Sequence, residues 1–415
     1  MFPVKIYIGP SLPKSVFVGV FFFLIISCSD DDPVDDNEAV LTCFDGILNG
    51  DEITVDCGGV CPGFCPLSSI GILGGEVKGR SQNGELVDVL QLDPSIEYRL
   101  VGPLLIRDKG ALSIPAGTVI KADPNVGAYI AVAQGGQLFV FGQPENPAVI
   151  TSGAENPMPG DWGGVIICGQ APIDTGEVGR SDIIDIFYGG SELEDSSGFL
   201  NYLRIEYAGA IAENQQNFDG IAFYGVGAFT NVTNVQTYES LGNGIRFIGG
   251  TADAERLVVT NAGANGIAVT NDWSGNGDSW YLSGVSKAGI RISSNELVES
   301  PNPIVTDTIR NISIVGATFE EGLNYSEAGG SYVLTNVHTT GMQLGINVEG
   351  PAASNQIDLG NLQIDSIQFD NPATDFAPTN YTGTNPGFYQ ENTTTGAGNE
   401  ALKPDWANGW TRGLQ

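Results

Sequence analysis

The chain reads as an all-β protein, a right-handed parallel β-helix, and three observations predict that class. The segments DGIAF, NGIRF, NGIAV and AGIRI place Gly220, Gly244, Gly266 and Gly289 at spacings of 24, 22 and 23 residues. Each repeat also carries a second β-rich segment, among them LRIEYAG at 203–209, ERLVVTNAG at 255–263 and RNISIVGAT at 310–318. Glycine reaches 57 of 415 residues, about twice average usage, while charged residues fall to 16%, well under the usual quarter. A period near 23 residues with two strand signals per repeat marks a solenoid, in which each repeat buries its apolar face against its neighbours.

Other solenoids fit less well. The LxxLxLxxN frame of leucine-rich repeats is absent, and helical repeats need longer periods and less Gly, Asn and Thr. In a parallel β-helix each coil contributes two or three short strands, with inward residues at period two and coils about 4.8 Å apart. Asn231, Asn234, Asn243, Asn261, Asn265 and Asn336 fall at or near the predicted turns. Asparagine tolerates left-handed backbone, and its amide can bond the equivalent residue one coil away. The hand follows from the general preference of parallel β crossovers. A fifth copy of the marker, LGINV at 344–348, lies 56 residues after the fourth, which predicts two coils plus an insertion.

Residues 1–27 read as a lipoprotein signal peptide. Lys5 and Lys14 precede an apolar run from Val16 to Ile26, too short to span a bilayer as a helix, and the run ends in Ile25-Ile26-Ser27-Cys28. A small residue before such a cysteine predicts cleavage and lipidation at Cys28, so the protein is expected to be tethered to a membrane without crossing it. Residues 28–42 form an acidic spacer. Its Ser29-Asp30-Asp31-Asp32 resembles the export signal of Bacteroidetes surface lipoproteins, which implies display on the outer face of the outer membrane.

Residues 43–66 form a small module holding Cys43, Cys57, Cys61 and Cys65. In an exported chain this predicts two disulfides, with three pairings open, over a zinc site. Asp45, Asn49, Asp51 and Asp56 are hard oxygen donors at close spacing, so Ca²⁺ is one reading of them and Asn/Asp-Gly turn chemistry the other. The pattern of Cys, DG, NGDE and DCGG resembles a short module of Bacteroidetes and other bacterial surface proteins.

The β-helix is assigned to 67–400 and a Trp-containing cap or tail to 401–415. The stretch 100–152, GDWGGVIICGQAPI at 160–173, NGIRFIGG at 243–250 and ANGIAVTNDWSGNG at 264–277 together resemble an uncharacterised family of Bacteroidetes β-helix lipoproteins. That resemblance implies a fold and a surface location and no settled activity. Relatives often carry paired acids where this chain has Asn243 and Asn265, a departure that removes ligands from any cation site there.

Lys and Arg number 17 against 49 Asp and Glu, a formal charge of −32, which excludes nucleic acid as a partner because such binding rests on basic patches. Polysaccharide lyases and hydrolases use this architecture, yet fold alone does not license function. A glycosidase needs two carboxyl groups about 5–9.5 Å apart, here supplied by one strand at i and i+2 or by adjacent coils. The clustered NTD, DD, GHG and RIK motifs of pectinase-like enzymes are absent, and the single His338 has no glycines on both sides. Arg204, Glu206, Arg246 and Arg291 are spaced as outward strand residues, suited to charge ladders. Trp162 and Cys168 read as core.

Two loops carry the functional expectation. The acidic 181–198 offers Asp182, Asp185, Glu192, Glu194 and Asp195 either to Ca²⁺ or to solvent. The segment 271–281 offers Trp273, Trp280 and Tyr281 beside Asn271 and Asp272, a mixture suited to stacking on a sugar with amide hydrogen bonds alongside. The expected function is therefore recognition of an extracellular ligand, a glycan first, by a surface lipoprotein, with outer-membrane transport proteins as candidate neighbours. A polysaccharide lyase or hydrolase is the alternative, and an adhesin or envelope structural protein the third reading.

Overall fold

The computed structural model describes residues 70–414 apart from 79–87, 175, 177, 295–306 and 371–374. They belong to one compact unit, Ser68–Gln415. Its 22-stranded sheet is bonded in parallel pairs, each strand pairing with the equivalent strand one coil later. The fold is an all-β parallel β-helix, as the repeat predicts.

Three faces wind around one core. Face A begins with Asp88–Gln91, Gly110–Pro115 and Gln137–Phe141, and face B with 70–73, 97–100, Val119–Ala122 and Ala148–Ser152. Face C runs through Ile130–Val132, Val165–Cys168, Ile221–Val226, Ile245–Gly250, Ile267–Thr270 and Ala288–Ser294. From Gly198–Glu206 onward faces A and B share one strand per coil. That strand bends at a single residue with left-handed backbone: Tyr202, Asn234, Arg256, Ser279, Asn311 and Asn336 have φ from 51° to 61°. Half of these corners are Asn, the non-glycine residue that meets this conformation at least cost. A one-residue corner keeps inward and outward positions in phase on both sides of the bend.

The repeat marker now has a physical reason. Its isoleucines stack coil on coil, Ile221 on Ile245, Ile245 on Ile267 and Ile267 on Ile290, all fully buried. The intervening coil carries Leu323, paired with Ile290 on one side and with Ile346 of the fifth marker on the other. Two residues on, Phe223 and Phe247 lie with ring centroids 5.0 Å apart and planes at 10°. The marker glycine is required by close approach. A Cβ on Gly244 would sit 2.4 Å from Val259 and 2.8 Å from the Gly266 carbonyl, and one on Gly266 would sit 2.6 Å from the Gly289 carbonyl. Any side chain there would push neighbouring coils apart.

Helix Gly350–Asp358 interrupts the last coils, which the β-rich pattern does not predict; Pro351 starts it, and Ala353 and Ile357 are buried in the main core. The C-terminal segment is a further departure. It returns along the outside of face B as a strap and does not simply close the coil. Thr395 and Gly396 bond Asn336, Ser313 bonds Glu400, the Tyr281 hydroxyl donates to the Ala401 carbonyl at 2.8 Å, and Arg412 exchanges hydrogen bonds with Gln236. Trp410 is completely buried beside Val258, and the Arg204 guanidinium donates to its carbonyl. Arg412 lies over Tyr207 and Tyr238 and pairs at 2.7 Å with Glu206, a carboxylate only 2% exposed that also accepts from Arg204 and Thr151.

Candidate functional site

The strap and one insertion decide which outer surface remains open. Residues 169–174 and 178–197 leave the coil after Val165–Cys168 and fold over the first part of face C. There Ile173, Ile183, Ile186 and Tyr188 pack on the outward side chains Ala131, Ile166, Cys168, Ala222, Tyr224 and Ile248 as a second apolar cluster. Burial pushes the Cys168 thiol well above its ordinary range, so it is an inert core thiol. Past the insertion face C carries a polar groove. Two connected cavities of about 400 and 300 Å³ share Asn265, Lys287 and Arg291; the first reaches Asp182, Asp219 and Arg246, and the second Glu321, Asn324 and Glu349.

One wall of the groove is a ladder of turn residues that precede the marker glycines. Asn243 donates its amide to Asp219 at 2.7 Å, Asn265 donates to Asn243 at 2.9 Å, and the Ala288 backbone donates to Asn265 at 3.2 Å. The ladder of asparagines expected at the turns is therefore present, with a buried aspartate at its head. Arg246 anchors the insertion to that head. Its guanidinium bonds both oxygens of Asp182 at 2.9 Å, lies 2.7 Å from Asp219, and donates to the Tyr224 hydroxyl at 2.5 Å. Burial works against the charge on Arg246, but Asp219, Tyr224 and Asp182 hold its pKa well above the ordinary value. Burial raises the carboxyl of Asp219, opposed by Arg246 and the Asn243 amide.

The far end of the groove holds two carboxylates on neighbouring coils. The Asn324 amide donates to Glu321 at 2.7 Å and to Glu349 at 3.4 Å, so those carboxylate oxygens are at most about 6 Å apart. Asn347 donates to the other oxygen of Glu321 at 2.6 Å. Arg291 bonds Ser326 and Glu327, while Lys287 is exposed and has no carboxylate partner among the described residues. Carboxylates, amides and one free ammonium in an open groove provide acceptors and donors for several hydroxyl groups.

A family model described as a pectate-lyase-like β-helix domain matches residues 84–411. The chain belongs to that family. No curated protein and no solved structure matches it.

In this pectate-lyase-like β-helix the aromatic site expected at 271–281 is corrected. Trp273, Trp280 and Tyr281 are 1%, 0% and 4% exposed and offer no surface to a sugar. Both indoles point into the coil, where Trp273 lies 4.8 Å from the Phe247 ring and donates to the Ala252 carbonyl, while Trp280 donates to that of Ala254. The interior of a coil has room for such side chains, and their large apolar area favours burial once the indole N–H finds a partner. Asn271 and Asp272 are half-buried and form the left-handed corner from face C to face A, with φ of 56° and 55°.

The acids of the insertion do not converge. Asp182 holds Arg246 and accepts from Tyr224, Asp185 pairs with Arg180, and Asp195 accepts from Ser197. Glu192 and Glu194 are exposed, and no metal-binding group of three or more His, Cys, Asp or Glu occurs among the described residues. Arg204 and Glu206 do face outward, but under the strap. His338 is also beneath it, 1% exposed, and burial lowers its pKa despite Asp370 at 3.5 Å. Cys28, Cys43, Cys57, Cys61, Cys65, Asp45, Asn49, Asp51 and Asp56 lie outside the described residues. The groove pair Glu321 and Glu349 went unrecognised in the sequence. Aligning EGL at 321–323 with NGI would have placed Glu321 in the ladder column, but no such alignment reveals Asn324 between the two acids.

Asp272 matters in another way. With Asp253 it adds to burial in pushing the carboxyl of Asp307, 7% exposed, up to about 7. The folded state thus favours neutral Asp307, while the unfolded chain ionises it near its ordinary value of 3.8. The resulting stabilisation is complete below pH 4 and is lost as pH rises through 7. Asp307→Asn is expected to change stability little at pH 4 and to raise it above pH 7, by at most about 4 kcal/mol. Urea melts of both proteins from pH 4 to 8 measure this, and a difference independent of pH would contradict it.

Proposed function

We propose that this protein is a cell-surface lipoprotein of the outer membrane that binds a polysaccharide along the face C groove. The family's pectate-lyase-like β-helix fits a polysaccharide-acting protein. The observation that carries the reading is the Glu321–Asn324–Glu349 cluster beside unpaired Lys287, at the end of an open groove on a face the strap does not cover. A neutral polymer suits it better than a polyuronate. Asp182, Asp219, Glu321, Glu327 and Glu349 outnumber Arg246, Lys287 and Arg291 there, and the chain's charge of −32 repels polyanions. Affinity electrophoresis through gels containing neutral polysaccharides or polygalacturonate tests this. At least one neutral polymer should retard the protein. Lys287→Ala and Glu349→Ala, both at exposed positions, should each weaken retardation about tenfold, the loss of one charge-assisted hydrogen bond of about 1.5 kcal/mol, with no change in melting temperature. Retardation by none of the polymers, or unchanged in both variants, would reject the groove.

A second reading rests on the closeness of the two carboxylates, whose upper bound of about 6 Å admits the roughly 5–5.5 Å spacing of a retaining glycosidase pair. One of Glu321 and Glu349 would then protonate the glycosidic oxygen as the other attacks the anomeric carbon, and water, deprotonated by the first, would release the sugar from the second as a new reducing end. New reducing ends from a retarding polysaccharide, abolished by Glu321→Gln, would establish hydrolysis.

A further inference from the structure

Face A carries a group of surface phenylalanines that the groove does not use. Phe139 and Phe141 alternate outward on one strand, their rings parallel with centroids 6.2 Å apart, and Phe199 on the next coil lies 5.5 Å from Phe141 at 26°. Phe141 is 49% exposed, and Phe229, in the turn leading to the following coil, is 63% exposed. Register places Phe139 between Ser113 and Phe199, and Phe141 between Pro115 and Asn201; the next coil adds Asn231 and Thr233. No charged side chain stands among these ladder neighbours.

We propose that this strip is a second glycan-binding site, taking a neutral polysaccharide whose pyranose rings lie with their C–H faces against the phenylalanines. Three observations select that occupant. The ring centroids, Phe141 exposed and Phe139 and Phe199 half-buried, are spaced by about the length of one pyranose residue and match a repeating ligand. The flanking hydroxyl and amide side chains suit sugar hydroxyls, and the named ladder neighbours include no cation to attract a polyuronate. The apolar area on offer is roughly 200 Å², taking 150–250 Å² per buried aromatic and partial exposure, far below the roughly 800 Å² per partner of a stable protein interface. A weak second contact would hold a long polymer at high local concentration near the groove.

The site is tested with the full chain on insoluble cellulose, chitin and mannan, with light scattering alongside. Retention on at least one of these is expected, weakened tenfold or more by the double change Phe141→Ala with Phe199→Ala. Phe141→Ser alone, at the half-exposed ring, should weaken retention with the melting temperature unchanged, and Phe141→Trp should preserve it. In a Lys287→Ala, Glu349→Ala background, where the groove is already weakened, the Phe141→Ala, Phe199→Ala change should still reduce retention tenfold, so failure of the groove and failure of the strip give different results. No retention on any of the three, retention unaffected by the Phe changes, or a dimer that these changes dissociate would overturn the proposal.

Discussion

Arg246→Ala is expected to destabilise the coil by about 3–5 kcal/mol, the usual cost of leaving a buried charge without its partner. Asp219 is the charge at stake: its side chain is 3% exposed and 2.7 Å from Arg246 Nε, and the Asn243 amide alone does not offset its burial. Asp182, half exposed, would rehydrate and lose its hold on the insertion. The destabilisation should shrink as pH falls, because a protonated Asp219 no longer needs a counter-charge. Adding Asp219→Asn should recover part of the loss at pH 7, since a neutral amide remains compatible with the Asn243 ladder. Denaturant melts of the four proteins of this double-mutant cycle measure the coupling, and additive effects would show that the two groups act independently.

Trp273→Ala should cost a similar amount, about 3–5 kcal/mol, through the cavity left beside Phe247 and Trp280. The Ala252 carbonyl also loses its indole donor. At about 2 °C per kcal/mol for a unit of this size, the melting temperature should fall by roughly 8 °C. Neutral polysaccharide should still retard the folded variant. An unchanged melting temperature together with loss of binding would return Trp273 to the ligand site.

Much of the architecture was legible because it repeats. The marker isoleucines and glycines recur for one reason, coil-on-coil packing, so any four of them reveal the period, and Asn243 and Asn265 reveal the ladder. The aromatic loop misled because composition does not record direction. Trp273 and Tyr281 sit among polar residues in sequence, yet the corner at Asn271 and Asp272 turns the following residues inward or under the strap. Arg246 looked like any outward strand residue. Only the insertion, some sixty positions earlier, makes it the anchor of a buried charge cluster. The pairing of Glu321 with Glu349 and the returning tail are long-range outcomes of the same kind, set by how many residues each coil consumes.

The tail also imposes an order in time. Coils of a solenoid can form one after another, since each needs only its predecessor. Glu206 is an exception, because its partner Arg412 arrives 206 residues later. Until the tail docks, the middle of face B stands open to water with Glu206 solvated. The last residues made therefore complete packing around coils made long before. They tie the end of the array to its middle, so the coil as a whole acquires a coupling that a nearest-neighbour stack lacks.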